Sequence, residues 1–331
     1  MKNYELAVGI DVSKKTLDVF IHNYNKHRVF DNCRSGYDSL LKWVSKFSKI
    51  EKSVLYCFEH TGNYSLKLAI FMQTNGLNYV QENPIVIKRS SGLVRTKTDR
   101  VDAQMIARYA WLHREELVCS SIRDEALLEL GRLLSLRDQL VRNRTGLMGT
   151  LEELSGLLSS PSTDVSCKSL KHTIAYLSKQ ILKLEKQIDE LVKREDRMSK
   201  NYKLLTSLKG VGRILACQLI YHTCNFERFS DWRQFSSYCG TAPFQYSSGT
   251  SVYRRSKGHP MSDRKMKTLL NMASISAIQH DGELRSYYQR KVEEGKPKML
   301  ALNNVRNKLI SRAFAVIKRG TPYVDLCKYA A

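Results

Sequence analysis

Leu6-Ala7-Val8-Gly9-Ile10-Asp11 carries a period of two, with Leu6, Val8 and Ile10 on one side and Ala7, Gly9 and Asp11 on the other. This alternation predicts a β-strand that ends on an acid. Working outward, Thr16 to Ile21 and His27 to Phe30 continue a meander of strands. Ser35 to Phe47 reads as a helix with Leu40, Leu41, Val44 and Phe47 on one face. Val54-Leu55-Tyr56-Cys57-Phe58, within Ser53 to Glu59, is a buried strand. A helix follows over Tyr64 to Thr74, punctuated by Asn75-Gly76. A short strand over Asn78 to Gln81 stops at Pro84, and Asp99 to His113 reads as a further helix. Three strands, helix, strand, helix, strand, helix is the order of an α/β domain of about 110 residues.

The middle of the chain has another period. Ile174, Leu177, Ile181, Leu184, Ile188 and Leu191 alternate spacings of three and four, as do Leu147, Leu151, Leu154 and Leu158 upstream. Such seams predict helices, and Pro161-Ser162-Thr163 between them predicts an antiparallel hairpin. The seam admits two readings, packing within the chain or a dimer interface. From Asn201 the pattern is helical and irregular. Leu208-Lys209-Gly210-Val211-Gly212 precedes an apolar helix over Ile214 to Ile220, and suits either a phosphate-binding helix start or a plain helix-turn-helix corner.

At 331 residues the chain is long enough for two to three domains, and 42% apolar with 26% charged residues describes a globular protein. Its balance of 54 Lys and Arg against 32 Asp and Glu leaves +22. A surplus of this size attracts polyanions. Nucleic acid is the first candidate, ahead of an anionic membrane surface or an acidic protein. Residues 201–331 hold 22 basic and 8 acidic side chains, against 17 and 10 in 1–110 and 15 and 14 in 111–200, so most of the field belongs to the last third. Eight cysteines with no C-x-x-C pair read as reduced, mostly buried thiols. Without a leader-like segment or a run of about 20 apolar residues, the expectation is a cytoplasmic protein outside the membrane.

Asp11 and Glu59 each end a predicted strand; if those strands are neighbours, both side chains leave one edge of the sheet. Gly9, two residues before Asp11 on the same face, leaves room there. Asp99 and Asp102, three apart, share a helix face. Converging, these acids would hold one or two Mg²⁺ ions, with Mn²⁺ as an alternative, for phosphoryl transfer. The competing reading makes Asp99 and Asp102 the cap and third residue of a helix, and Asp11 and Glu59 plain strand ends.

These residues stand in familiar surroundings. Gly9-Ile10-Asp11-Val12-Ser13-Lys14, Phe58-Glu59-His60-Thr61-Gly62-Asn63-Tyr64 and Lys97-Thr98-Asp99-Arg100-Val101-Asp102-Ala103 resemble the acidic motifs of the DEDD transposases, in the insertion-sequence family numbered one hundred and ten. Gly240-Thr241-Ala242-Pro243, Ser248-Gly249-Thr250-Ser251-Val252 and Arg255-Ser256-Lys257-Gly258 resemble that family's second, transposase-specific domain. The resemblance spans nearly the whole chain. It implies a RuvC-like (ribonuclease H fold) domain over 1–115 with Asp11, Glu59, Asp99 and Asp102 as metal ligands. It further implies a coiled-coil hairpin over 120–198 used in assembly, and a mainly α-helical transposase domain over 200–331. That last domain would supply Ser248 to attack the DNA backbone and hold it as a phosphoserine. A structured noncoding guide RNA would pair with donor and target DNA, and the chain would work as a homo-oligomer, dimer or tetramer. His60 stands where the family often has alanine.

Ser248 is carried over because the family motif is Ser followed by Gly, although Ser247 and Ser251 lie close, and a polar surface turn is the bland alternative. A serine hydroxyl needs activation. His259 is the nearest histidine in sequence, and metal held by the acids is the expected aid, which requires the two regions to meet. Arg254, Arg255, Lys257, Arg264, Lys265 and Lys267, with Arg285, Arg290 and Lys291, form the densest basic region and suit phosphates of guide RNA and DNA. Phe244, Tyr246, Tyr253, Tyr287 and Tyr288 suit stacking on unpaired bases, with a solvated helix face over core tyrosines as the bland alternative. Two rival functions remain: a metal-dependent nuclease or resolvase acting on branched DNA with water as nucleophile, and a non-catalytic binder.

Overall fold

A computed structural model describes residues 4–48, 50–60, 62–90, 92, 98–122, 124–248 and 252–324, with 51, 63, 246–248 and 252–257 described for the backbone alone. Met1–Ile122 and Arg123–Ala331 are two compact units.

In the first unit the chain runs β1 (Leu6–Val12), β2 (Thr16–Ile21), β3 (Lys26–Asp31), α1 (Arg34–Val44), β4 (Val54–Glu59), α2 (Asn63–Thr74), β5 (Asn78–Glu82), α3 (Pro84–Ser90) and α4 (Asp99–Leu112). The strands form one mixed sheet in the order β3-β2-β1-β4-β5, antiparallel across β3, β2 and β1, and parallel from β1 through β4 to β5. Ser13 Oγ accepts from the Thr16 backbone N–H at 3.0 Å and closes the first turn. The period of two in β1 separates two hydrophobic layers. Leu6, Val8, Ile10 and Val12 pack with Tyr37, Leu40 and Trp43 of α1 and Leu68, Phe71 and Met72 of α2. Ala7 packs on the other face with Leu55, Cys57 and Val80 and with Ile106, Tyr109 and Ala110 of α4. Helices therefore cover both faces, and β1 and β4 are buried throughout except at their terminal acids. Pro84 was expected only to stop a strand. It also opens α3, where its missing N–H costs no hydrogen bond and its fixed φ suits a first helical residue.

The second unit begins with α5 (Glu125–Leu157) and α6 (Val165–Arg194). Arg137 donates to Glu185 at 2.8 Å and Arg144 to Ser178 at 3.5 Å, so residue numbers fall along α6 as they rise along α5 and the pair is antiparallel. Then follow α7 (Asp196–Thr206), α8 (Arg213–His222), α9 (Trp232–Tyr238), the hairpin of β6 (Phe244–Ser248) and β7 (Val252–Lys257), α10 (Arg264–His280), α11 (Gly282–Glu293) and α12 (Lys298–Arg319). The base of the long hairpin belongs to the core of this unit: Leu127, Leu130, Leu134, Ile188 and Leu191 pack with Leu205, Leu215, Phe235, Leu270 and Leu309. Toward the tip, Leu147, Leu151, Leu154, Ile174 and Leu177 are only half-buried and Leu158 is exposed. The turn at Gly210 lies against the backbone of α10, at Ala273, so it packs on protein. The described cysteines are all free, and Cys57, Cys167, Cys217 and Cys239 are buried. No helix among the described residues is long and apolar enough to cross a membrane.

Candidate functional site

Strand parity determines where the acids go. Ala7, Gly9 and Asp11 share the α4 face of β1, and Leu55, Cys57 and Glu59 share that face of β4. The strands are parallel neighbours with Ile10 beside Phe58, so Asp11 and Glu59 follow at the same carboxyl edge. Gly9 then brings in the helix. A Cβ there would meet the Ala103 carbonyl oxygen and the Ala107 nitrogen, so α4 lies directly on β1 and its first turn reaches Asp11. The room expected beside Gly9 is filled by the helix that carries the other two acids.

Thr98 caps α4, its hydroxyl accepting from the Val101 N–H at 3.3 Å. Asp99 is therefore not the cap, and both first-turn acids keep their carboxylates clear of that duty. Ligand oxygens of Asp11, Asp99 and Asp102 lie within 4.8 Å of one another. Two oxygens on one octahedral Mg²⁺ stand about 3 Å apart in cis and about 4 Å in trans, so small side-chain rotations would close the trio on a single ion. The donor set is all oxygen and suits a hard cation. Glu59 is not brought within that distance of all three.

The electrostatics mark the same place. The Asp11 carboxyl is pushed up from its ordinary 3.8 to about 6, first by burial and then by the negative charges of Asp102, Asp99, Glu59 and Asp18. Like charges gathered without a cation raise one another in this way. Asp18 was not anticipated. It pairs with Asp11 in register across β1 and β2, and its Oδ1 meets His27 Nε2 at 2.9 Å. Its place after Leu17, alternating with it on β2, was the available signal. Glu82, beside Glu59 on β5, accepts from the Tyr109 hydroxyl at 3.0 Å and so ties the sheet to α4. His60 is exposed, with its backbone N–H donating to the Glu82 carbonyl at 3.0 Å.

In the second unit, Ser248 ends β6 opposite Val252, so the segment read as a turn or nucleophile loop belongs to a strand hairpin. The side chains of Ser247, Ser248, Tyr246, Tyr253, Arg254, Arg255 and Lys257, and all of Ser251, lie outside the described residues. Arg264 is exposed at the start of α10, and Lys267 is half-buried beside Gly258. Lys265, of the same basic region, forms an ion pair through its ammonium with Asp138 of α5. Likewise Lys291 pairs with Glu294 at 2.6 Å, and Arg285 donates to the Ile278 carbonyl at 3.1 Å, holding the end of α10. His259 accepts from the Met261 N–H at 3.2 Å and stands edge-on to Phe244.

Two family models match the chain. A DEDD transposase model of the IS110 type, described as a transposase, matches residues 8–158, and the model of the transposase IS116/IS110/IS902 family matches residues 202–289. The chain is similar to the pilin gene-inverting proteins of Moraxella bovis and Moraxella lacunata, at 27% identity over 326 residues, which is 96% of this chain and 97% of each relative. It is also 31% identical over 120 residues, 36% of this chain and 29% of the relative, to an insertion element IS110 uncharacterized 43.6 kDa protein of Streptomyces coelicolor. The first match contains every acid of the trio together with Glu59, and the second contains the β6–β7 hairpin. With both halves matched in order, the chain belongs to the IS110 family of transposases.

Proposed function

We propose that this transposase is an RNA-guided DNA recombinase in which Asp11, Asp99 and Asp102, aided by Glu59, hold divalent metal and Ser248 is the nucleophile. The observation that carries the reading is the gathering of three carboxylates within 4.8 Å on a chain whose net charge is +22. Three carboxylates this close, with Asp11 partly buried, repel one another unless a cation stands between them. Mg²⁺, or Mn²⁺ in its place, would polarise the scissile phosphate and stabilise the leaving oxygen. Below about pH 6 the raised Asp11 carboxyl would have to release its proton for a cation to be held there. Support for a RuvC-like first domain comes from the mixed sheet with acids at the carboxyl ends of β1 and β4 and in the first turn of α4. The reading keeps three domains, 1–115, 120–198 and 200–331.

Balanced as chemistry, the Ser248 hydroxyl gives up its proton as its oxygen bonds to phosphorus. The ester bond to one deoxyribose oxygen breaks, and that oxygen takes up a proton. Attack by the free hydroxyl of an exchanged strand reverses these steps and restores the serine. The relatives named for inverting a pilin gene fit an enzyme that exchanges strands between donor and target duplexes. Arg254, Arg255, Lys257, Arg264 and Lys267 would hold phosphates of DNA and guide RNA. The half-buried tip of the α5–α6 hairpin, with Leu157 81% exposed, suits assembly into a dimer or tetramer.

The test incubates the full chain with labelled DNA, Mg²⁺ and the transcript of the flanking noncoding segment, then denatures it. A labelled protein adduct that vanishes in Ser248→Ala and in Asp11→Asn is expected. Cleavage that survives Ser248→Ala but not Asp11→Asn would replace this reading with a hydrolytic nuclease. Activity that does not depend on the transcript would remove the guide RNA.

A further inference from the structure

At the foot of the β6–β7 hairpin is a cleft of about 490 Å³, lined by Gly240, Pro243, Gly258, Lys267, Asn303 and Arg306 among others. Arg306, from α12, is only 4% exposed. Its guanidinium meets two neutral amides, donating to Asn303 Oδ1 at 3.1 Å and to Asn271 Oδ1 at 2.5 Å. Its Nε has no partner among the described residues. No carboxylate pairs with Arg306 or Lys267 among the described residues. Burying a cation without a counter-charge is expensive, and burial lowers the affinity of this guanidinium for its proton.

The wall of the cleft is built for close approach. A Cβ on Gly258 would stand 2.6 Å from the Gly240 carbonyl oxygen and 3.5 Å from Lys267 Nζ, so this side of the cleft carries backbone and the lysine head. Asn303 Nδ2 donates to the Thr241 carbonyl at 2.8 Å, which fixes the amide whose oxygen faces Arg306. The result is a concave site that holds, among the described residues, two cations, amide groups and no acid. The guanidinium of Arg306 and the ammonium of Lys267 line one cleft and together supply the positive charge that a tetrahedral oxyanion requires.

We infer that Arg306 and Lys267 form a phosphate seat that takes a backbone phosphodiester of the DNA strand presented to the β6–β7 hairpin. The inference rests on the DNA-recombinase reading and adds to it a buried anchor. Ser248 ends β6 five residues after Pro243, about 16 Å away at the rise of an extended chain. The seat therefore fixes the strand a few nucleotides from the phosphate that the serine attacks. DNA is favoured over guide RNA because the seat lies at the root of the strand that carries the proposed nucleophile.

The experiment measures binding of a short fluorescein-labelled DNA duplex to the full chain across a salt series, for wild type, Arg306→Gln and Thr268→Glu. Thr268 is exposed and lines the cleft, so a glutamate there neutralises the seat without touching the core. Each variant is expected to lose about tenfold in affinity and to flatten the log–log salt slope by about 0.9, the loss of one phosphate contact. Should Arg306→Gln fail to fold by circular dichroism, Thr268→Glu decides. Variants that keep both affinity and slope on a DNA-binding wild type overturn the seat alone. A wild type that binds no DNA overturns the functional reading and the seat with it. Two further arms use inorganic phosphate and an RNA duplex of the same sequence. Thermal stabilisation by inorganic phosphate without any change in DNA binding, or weakening confined to RNA, also overturns the assignment to DNA.

Discussion

A Cβ added to Gly9 would stand 2.2 Å from the backbone nitrogen of Ala107. β1 and α4 thus meet with no side chain between them, and this contact carries Asp99 and Asp102 to Asp11. Gly9→Ala is expected to destabilise the first unit by about 1–3 kcal/mol through overpacking and to weaken Mn²⁺ binding by moving the first turn of α4. Urea denaturation and calorimetric titration check both effects. An unchanged midpoint together with an unchanged Kd would refute the contact.

Asp11 gives a pH signature. Its folded-state pKa, about 6, lies above its ordinary 3.8. The native state therefore binds the proton more tightly, and the stability this group contributes is fully present below about 3.8 and lost as pH rises through about 6. In metal-free protein at neutral pH, Asp11→Asn is expected to melt at a higher temperature than wild type, with the gap closing between pH 6 and pH 4. Mn²⁺ affinity should fall about tenfold per pH unit below 6, as one proton is displaced on binding. A melting difference that is flat across this window would falsify the raised pKa.

In the second unit Asp281 is fully buried and accepts from Arg312 Nη1 at 2.7 Å, while its other oxygen accepts from the Leu284 N–H at 2.9 Å and caps α11. Arg312→Ala leaves that carboxylate buried without a counter-charge and should cost about 3–5 kcal/mol. Adding Asp281→Asn, which keeps the capping oxygen and removes the charge, should recover part of the loss. A double variant no more stable than Arg312→Ala would show that packing, not charge, sets the cost.

The hairpin should show a gradient. Ile188 is 1% exposed within the core, whereas Leu151 is half-buried nearer the tip. Ile188→Ala is expected to lower stability by about 2–5 kcal/mol, and Leu151→Ala by about 1 kcal/mol, both measured by urea denaturation at low protein concentration. Equal costs would mean that Leu151 is covered in solution by another copy of the chain.

Several elements were legible from local pattern. The alternation in β1 and the apolar run of β4 identified strands and placed Asp11 and Glu59 at their ends, because side-chain direction along a strand depends only on parity. The three-four spacing between Ile174 and Leu191 identified α6 for a similar reason. Less local features were missed. Asp18 gains its influence on Asp11 from an antiparallel register that its own segment does not encode. Lys265 reads as a free cation until α10 is set beside Asp138 of α5. Arg306 reads as one basic residue in an amphipathic helix, and only its burial against two amides makes it unusual.

The division follows from the range of the forces involved. Periodicity, charge balance and the order of the acids are properties of the chain as a string, so composition and spacing alone determined an α/β first unit, a helical hairpin and a last third that carries most of the positive charge. Which acids share an ion-sized space, and which cations lack a counter-charge, depends on contacts between residues far apart in sequence. Asp11 and Asp102 meet because a glycine on one element lets a helix rest on its backbone, and close packing of that kind is decided only when the whole core forms.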